Sequence, residues 1–313
     1  MKYEFVKDNE GRFEIEQMCT AMEICRSGYY HWRSRAPSAR RIEDEAIKGA
    51  ILKVHKQAKG RYGHRPIHSH LKDEGIDCGR DRALRLMREL GIESTQAKRF
   101  KPLKTNSNHP YGDSPNLLKE HGKPTHMDEI WVADTTYLLT MAGWIYLATV
   151  MDLFSRRLLG WSVSIHNDAK LVGNALKAAA MTRGTLRAGI LHHSDRGSTY
   201  ASDDYQRLIS KLGMKPSMSA KGNCYDNAAI ESFFGRFKTS TIRDRLFADE
   251  SELRATVFEY VEIFYNRYRK HSSLSYQSPI QFEEKFCPHG GNGNTKPFTQ
   301  NKEPDILTNK QEI

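Results

Sequence analysis

The sequence predicts an α/β fold in which helices flank a mixed five-stranded sheet, preceded by an all-helical region of the helix-turn-helix type. Two observations lead to this prediction. Short amphipathic helices with a positive charge fill the first third of the chain, and β-rich runs begin near Glu129. Three adjacent strands followed by alternating helices and strands are typical of a mixed sheet covered by helices.

The positive charge is concentrated near the N-terminus. The 313 residues include 48 Lys and Arg against 38 Asp and Glu, which gives a net charge of +10. Residues 1–110 hold 23 basic and 15 acidic side chains, so +8 of that charge lies there. This asymmetry predicts a polyanion-binding module joined to a nearly neutral body. A basic surface that only aids solubility is the alternative.

The composition argues against membrane, secreted and disulfide-rich classes. The longest apolar stretch, residues 143–154, is shorter than the ~20 residues that a membrane span needs, and it contains Asp152. The start of the chain has no apolar signal region, and the five cysteines include no CxxC pair. We therefore expect a cytoplasmic protein.

Two helix pairs are predicted in the basic N-terminal third. The first pair covers 15–24 and a helix from about Tyr29 that carries Arg33 and Arg35, with the turn at Ser27-Gly28. A longer helix at 41–59 follows, and the second pair covers 66–74 and 80–90, with Pro66 at the first helical position.

The last of these helices has two distinct faces. Ala83, Leu86 and Met87 form an apolar face, and Arg82, Arg85 and Arg88 lie opposite them. An apolar face opposite an arginine face suits a helix that docks on DNA, and a solvated basic face is the alternative.

The remaining elements define the predicted domains. Strands are predicted at 130–140, 144–151, 157–164, 189–193 and 215–218, and helices at 168–183, 202–212, 226–242 and 250–267. The predicted units are an N-terminal segment 1–40, a helical DNA-binding domain 41–102, a linker 103–126, an α/β domain 127–287 and a disordered tail 288–313.

Three carboxylates form the candidate site. Asp134 lies within a strand, Asp195 follows the end of another, and Glu231 shares a helix face with Asn227 and Lys238. Three such oxygen ligands can hold two Mg²⁺ or Mn²⁺ ions. Lys238 can bind a DNA phosphate beside them, and Asn227 is a second candidate DNA contact on this face. Each acidic residue alone also fits a cap, a turn or an ion pair.

Three competing sites are weaker. Asp152 is a rival carboxylate, although a turn orientation toward Arg156 or Arg157 suits it better. His64 and His68 have the spacing of half a zinc site, but no CxxC pair completes it. The run 192–195, His-His-Ser-Asp, does not make a triad, because adjacent strand residues point to opposite faces.

The phrases around these residues resemble a known family. They are WVADTTY, MDLFSRRLLGW, HHSDRGSTYAS, SMSAKGNCYDNAAIESFFGRFK and YNRYRKHSSLSYQSP, with MCTAMEICRSGYYHWRSR, GRYGHRPI and RLMRELGI upstream. Sixty residues separate Asp134 from Asp195, and thirty-five separate Asp195 from Glu231. Together these features resemble the second-frame (OrfB) transposases of the IS-three insertion-sequence family.

The resemblance implies a retroviral-integrase-like DDE core with a ribonuclease-H-like fold. It implies Asp134, Asp195 and Glu231 as metal ligands and Lys238 as a DNA contact. It also implies 3′-end cleavage and strand transfer on element-end DNA, target DNA as second substrate, and oligomers on the nucleoid. A first-frame protein (OrfA), or a fusion with it, is the implied partner. The alternatives are an inactive DNA-binding regulator and a ribonuclease H.

Overall fold

The computed structural model describes residues 2–95, 114–219, 228–242 and 245–286. Three predictions lie outside these ranges: the role of Asn227, the first part of the linker at 103–113, and the tail at 288–313. Within them, no helix is both long and apolar enough to span a membrane.

Three short helices form a small unit at the N-terminus. Val6, Met18, Cys19 and Tyr29 make its core. The turn that we placed at Ser27-Gly28 is wrong, because Gly28 lies inside the third helix, where an added Cβ would approach Tyr3 Oη to 2.8 Å. Gly28 therefore allows close packing and makes no turn. The helices are α1 (Lys2–Asp8), α2 (Ile15–Ala21) and α3 (Arg26–Ser34).

The next three helices form the predicted helical domain. They are α4 (Ala39–Gln57), α5 (His64–Asp73) and α6 (Arg80–Glu89). Pro66 is the third residue of α5 rather than the first. The first four N–H groups of a helix have no partner within it, so the N–H that proline lacks is not missed at this position. Gly91 follows α6 with φ of +64° and its N–H bonds to the carbonyl of Arg88, as in a helix C-cap.

The predicted mixed five-stranded sheet is confirmed. Its order is β3-β2-β1-β4-β5, with β1, β2 and β3 antiparallel and with β4 and β5 parallel to β1. The strands are β1 (Ile130–Thr140), β2 (Gly143–Asp152), β3 (Leu158–Ser164), β4 (Leu191–Ser194) and β5 (Lys215–Met218).

Helices cover both faces of the sheet. On one face, α8 packs so closely on β3 that a Cβ at Gly160 would lie 2.3 Å from the carbonyl oxygen of Ala175. The helices of this face are α8 (Ala169–Arg183), α9 (Ser198–Ala201) and α10 (Asp203–Lys211). The other face carries α11 (Ala228–Phe237) and α12 (Glu250–Phe258), and α13 (Pro279–Phe286) ends the described chain. Two of the predicted long helices continue as π-helix, at Lys238–Ile242 and Glu259–Tyr268.

The helical domain and the sheet share one hydrophobic core. Side chains of α4, α5 and α6 belong to the same buried cluster as those of β1, α11 and α12. Arg61 forms a bidentate ion pair with Glu259, at 3.0 and 3.2 Å, and Tyr62 stacks on Tyr268 with centroids 5.8 Å apart. A short helix, α7 (Leu117–His121), lies inside the predicted linker and contacts β4 and β5. The helical region and the sheet therefore pack against each other through a shared interior, and the domain boundaries stay a prediction.

Asp152 belongs to a structural ion network. It is fully buried and accepts hydrogen bonds from Ser155 N at 2.8 Å and Asp128 N at 2.7 Å. Arg183 is its cation, at 3.7 Å, and Glu283 of α13 joins the network through the same guanidinium. Asp152 therefore orients the turn through Ser155, as predicted, whereas its ion-pair partner in the described chain is Arg183 of α8 rather than Arg156 or Arg157.

Candidate active site

Two neighbouring parallel strands bring the first two candidate carboxylates together. In the register of β1 and β4, Ala133 pairs with Ser194, so Asp134 and Asp195 are the next residues along adjacent strands. Strand alternation directs Asp134 to the face that α11 covers, because Val132 and Ile130 belong to the core on that side. The carboxyl end of β4 thus lies beside Asp134. In open α/β sheets, functional residues collect at the carboxyl ends of the strands.

Backbone donors hold both carboxylates in place. Thr135 N donates to Asp134 Oδ1 at 2.7 Å, and Gly197 N donates to Asp195 Oδ1 at 2.9 Å. Gly197 permits this approach, since a Cβ there would lie 3.0 Å from the same oxygen. The two side chains are therefore oriented before any ligand binds.

Helix α11 supplies the third candidate carboxylate, and the π-helical turn that follows it supplies the lysine. Ile230, Phe233 and Phe237 are buried behind it, and Glu231 is exposed on its outer side. Lys238 begins the π-helical turn, and its Nζ lies 5.0 Å from the ring centre of Tyr137 on β1. The aromatic packing predicted for this helix is confirmed.

Burial and neighbouring charges shift the pKa values of the candidate site residues. Burial, together with the charges of Asp195 and Glu231, raises the pKa of Asp134 well above its usual value. Partial desolvation of its carboxyl group also raises the pKa of Glu231, although the residue as a whole is exposed. Burial lowers the pKa of Lys238, and Asp134 opposes that shift. The three acids and the lysine therefore interact across the strand ends and α11.

The oxygen-rich residues suit a hard dication, although they do not form a closed metal site. A divalent cation would relieve the repulsion that raises the Asp134 pKa. Thr149, the register partner of Asp134, has a buried Oγ1 without a hydrogen-bond partner in the described part of the chain. Across residues 2–95, 114–219, 228–242 and 245–286, no three His, Cys, Asp or Glu side chains gather closely enough to hold a metal ion. The three-carboxylate ligand set stays a prediction.

Tyr200 is a residue of this site that sequence reasoning missed. Its ring is buried below the strand ends, and its hydroxyl lies 2.8 Å from Thr135 Oγ1. Burial and the charge of Asp134 raise the pKa of Tyr200 well above its usual value. Only the tertiary placement of α9 brings it here, so its position in HHSDRGSTYAS gave no signal.

The predicted arginine face of α6 is partly occupied by ion pairs. Arg82 Nε lies 2.8 Å from Asp44 Oδ1, and Arg85 Nη2 lies 2.9 Å from Asp44 Oδ2. Both therefore tie α6 to α4, whereas Arg88 is exposed. Their contacts with DNA stay predictions.

One of the two candidate arginines of α3 and its C-terminal end forms an ion pair. Arg33 pairs with Glu10 at 3.0 Å, and Arg35 is exposed at the end of α3.

The adjacent histidines of β4, His192 and His193, point away from each other. The His192 ring contacts Tyr205, and the His193 ring contacts Ser217 and Ser219. The opposite orientation of these adjacent strand residues, on which the exclusion of a triad depends, is therefore confirmed.

Comparison with known proteins defines the class. An integrase core domain model matches residues 124–224, a second integrase core domain model matches 212–279, and an HTH-like domain model matches 42–100. The chain is an integrase-core protein with a helix-turn-helix-like domain. Among solved structures, the simian T-cell lymphotropic virus intasome in complex with PP2A regulatory subunit B56 gamma is similar over 80% of each chain, with 16% identity and a TM-score of 0.45.

Curated relatives give the family. The chain is 37% identical over 287 residues to transposase InsF for insertion sequence IS3A of Escherichia coli strain K12, covering 91% of this chain and 99% of that protein. It is 41% identical over 269 residues to the insertion element IS600 uncharacterized 31 kDa protein of Shigella sonnei, covering 86% and 98%. The chain belongs to the IS3 family of bacterial insertion-sequence transposases, which confirms the resemblance.

Proposed function

We propose that this transposase is a DDE polynucleotidyl transferase, which cleaves the 3′ ends of its element and joins them to target DNA. The observation that carries this proposal is the register of β1 and β4, which sets Asp134 beside Asp195 on the face covered by α11. Glu231 extends from that helix and influences the pKa of Asp134.

Asp134, Asp195 and Glu231 are the residues that would hold two Mg²⁺ or Mn²⁺ ions. When bound, such ions activate an attacking oxygen and stabilise a leaving oxygen at phosphorus. The backbone N–H groups of Thr135 and Gly197 keep the carboxylates oriented toward this shared position. Buried Tyr200 excludes water from the side of the pair opposite α11.

Lys238 would position a DNA phosphate beside the acids. Lys238 is half-buried, and its Nζ lies over the ring of Tyr137, 5.0 Å from the ring centre, which limits its movement. A cation held in this way can meet a phosphate without a search through many rotamers. We further propose element-end and target DNA as the substrates and the first-frame protein as the partner. The phosphate contacts proposed in the N-terminal third are Arg33, Arg35, Arg82, Arg85 and Arg88.

Paired assays of DNA binding and chemistry test the proposal. Glu231→Gln and Asp134→Asn should leave binding to element-end duplexes within about twofold, because neither change alters the basic surfaces. Joining of 3′ ends in Mg²⁺ should fall by at least about 10³-fold, since metal stabilisation is worth several kcal/mol and each ~1.4 kcal/mol is tenfold in rate. The matched control is Asp204→Asn, an exposed carboxylate of α10.

The outcomes separate the alternatives. Near-normal joining by Glu231→Gln would remove Glu231 from the site. An inactive wild-type protein that binds ends would identify a regulator. Cleavage of an RNA–DNA hybrid, with no joining of element ends, would identify a ribonuclease H.

A further inference from the structure

A cavity of about 590 Å³ lies between the HTH-like domain and the catalytic core. One wall comes from residues 61–66 and Ser94 of the HTH-like domain, and another from α11. The turn between β2 and β3 and the segment after the second π-helical stretch complete it. We call this cavity the basic cleft; the cations among its lining residues are Arg61, Arg65, Arg156, Arg236, Arg269 and Lys270.

The described residues that line the basic cleft include no Asp or Glu. Two of its cations have carboxylate partners outside it: Arg61 pairs with Glu259, and Lys270 pairs with Asp73. Arg156 and Arg269 form no ion pair with any carboxylate of the described chain. Arg269 instead lies over the ring of Tyr265, 5.6 Å from its centre, and Arg156 interacts with the charge of buried Asp152 without forming an ion pair. The lining of the cleft therefore carries positive charge and no carboxylate of its own.

Burial makes this arrangement costly without a ligand. Arg269 is only 8% exposed, and its Nη1 lies 3.0 Å from Nε2 of His271. Burial and the charges of three nearby arginines hold the pKa of His271 well below its ordinary value, so the ring stays neutral. Burial also lowers the pKa of Arg156, whose backbone has φ of +61°, in the left-handed region that a non-glycine residue rarely adopts. Like charges gathered at a strained position are typical of a site built for an anion.

The chemistry of the lining identifies the anion. Guanidinium groups match phosphate oxygens in pairs, and the hydroxyls of Ser94, Ser232, Ser272 and Ser273 add further polar groups. A volume of about 590 Å³ is that of a site for a small ligand and is too small for a duplex. The ring of Tyr276 offers a surface on which a base can stack.

The location ties the basic cleft to the catalytic helix. Ser232 and Arg236 line it from α11, on a different side of that helix from Glu231. Arg61 and Arg65 line it from the HTH-like domain. A ligand in the cleft therefore touches both domains and the helix that carries the third candidate acid.

We propose that the basic cleft is a phosphodiester-binding site that takes a short single-stranded segment of DNA. That DNA is the source of the phosphates rests on the proposed function, in which strands are opened and cleaved next to α11. The strand runs along the side of α11 away from the acids, and its phosphates neutralise Arg156 and Arg269.

The test uses the full-length protein in EDTA, so that the acidic site holds no metal and contributes no metal-mediated binding. The probe is a fluorescein-labelled 12-nucleotide single strand, followed by anisotropy over a range of salt concentrations. The double variant Arg156→Gln/Arg269→Gln should bind at least about tenfold more weakly, because each lost contact is a charge-assisted hydrogen bond. Its slope of log affinity against log salt should fall by about 1.4, since each contact with a single strand contributes about 0.7.

The matched control is Arg187→Gln/Arg207→Gln, two exposed arginines that do not line the cleft. It should keep the wild-type affinity and slope to within about twofold. If the cleft variant also keeps both values, the proposal is overturned.

Thermal melting separates binding from folding. The cleft variant should melt at the wild-type temperature or higher, because repulsion is removed. Inorganic tripolyphosphate should raise the melting temperature of the wild type and leave that of the variant unchanged. A variant that melts well below the wild type, with no protection of the wild type by tripolyphosphate, would show that these arginines only support the fold.

Two further arms identify the source of the phosphate. Displacement of the labelled strand by tripolyphosphate supports a shared site, whereas protection by tripolyphosphate without competition overturns the DNA assignment. Asp134→Asn should keep its binding in EDTA. Joining activity in Asp134→Asn would defeat the proposed catalytic site and leave the cleft result standing.

Discussion

Replacing Arg183 with Met should destabilise the fold strongly and in a pH-dependent way. Arg183 is 11% exposed, and its guanidinium contacts three carboxylates. Its Nε lies 2.7 Å from Asp128 Oδ1, and its two terminal nitrogens lie 2.6 and 2.9 Å from the oxygens of Glu283. The carboxylate of Asp152, which is fully buried, is 3.7 Å away. Arg183 is therefore the cation that joins α8, the β2–β3 turn and α13.

The expected loss follows from leaving buried carboxylates behind. Removing one partner of a buried ion pair typically costs about 3–5 kcal/mol. Arg157 still pairs with Glu283 at 2.6 Å, so the lower end of that range is expected. Methionine keeps most of the side-chain volume, so the loss reports charge more than packing.

Protonation of Asp152 gives the loss its pH dependence. Burial raises the pKa of Asp152 to about 6 in the wild type, and Arg183 opposes that rise. Without Arg183 the pKa rises further, so above pH 6 the folded variant retains more of a proton that the wild type releases. The variant therefore loses stability relative to the wild type as pH rises, by up to about 1.4 kcal/mol per pH unit.

Urea denaturation at pH 6, 7 and 8 measures both effects. Arg187→Met, an exposed arginine near the end of α8, is the control and should change the free energy of unfolding by less than about 0.5 kcal/mol. A loss below about 1 kcal/mol at pH 8, or an equal loss at pH 6 and pH 8, would refute the reasoning.

Two further predictions concern packing and pH. Gly160→Ala should destabilise the protein by about 1–3 kcal/mol or more, because the new Cβ would lie 2.3 Å from Ala175 O, whereas Gly173→Ala in α8 should stabilise it by up to about 1 kcal/mol. Equal melting temperatures for the two variants would contradict this. The ring of His70 stacks on Tyr268, and burial lowers the pKa of His70 to about 4. The neutral ring therefore stabilises the fold above pH 6.5, and this contribution is lost as pH falls toward 4. Between pH 6.5 and pH 5 in urea titrations, His70→Phe should therefore lose about 1–1.5 kcal/mol less stability than the wild type, and parallel losses would exclude His70.

The sheet and the acid pair were predictable because local sequence specifies them. Five β-rich runs gave the five strands to within two residues at nearly every end. Asp134 and Asp195 stand out in the sequence because a carboxylate inside or just after a buried strand needs a reason to be there. Their proximity depends on the parallel pairing of β1 with β4, which joins distant segments and which the sequence alone did not specify.

Partners from distant segments were not predictable. A helical wheel of α6 separates arginines from apolar residues but cannot show that Asp44 of α4 faces Arg82 and Arg85. The same limit applies to Asp152, whose cation Arg183 lies 31 positions along the chain. Each of these pairs depends on tertiary packing, which no periodicity encodes.

The basic cleft shows the same limit on a larger scale. Its charged lining comes from residues 61–65, from Arg156, from Arg236 and from residues 269–270, four stretches that no motif connects. The charge asymmetry of the sequence drew attention to the N-terminal third, while four of these six cations belong to the catalytic core.

The shared hydrophobic core limits how this transposase can be recombined with its relatives. Because side chains of α4, α5 and α6 are buried in the same cluster as α11, α12 and the sheet, the HTH-like domain is not a detachable module. A chimera joined near residue 102 would place half of one protein's interior against half of another's. An exchange of the HTH-like domain between relatives would need the Glu259–Tyr268 segment to be exchanged as well, since Glu259 and Tyr268 contact Arg61 and Tyr62 there. Substitutions on one side of this interface must therefore be matched on the other.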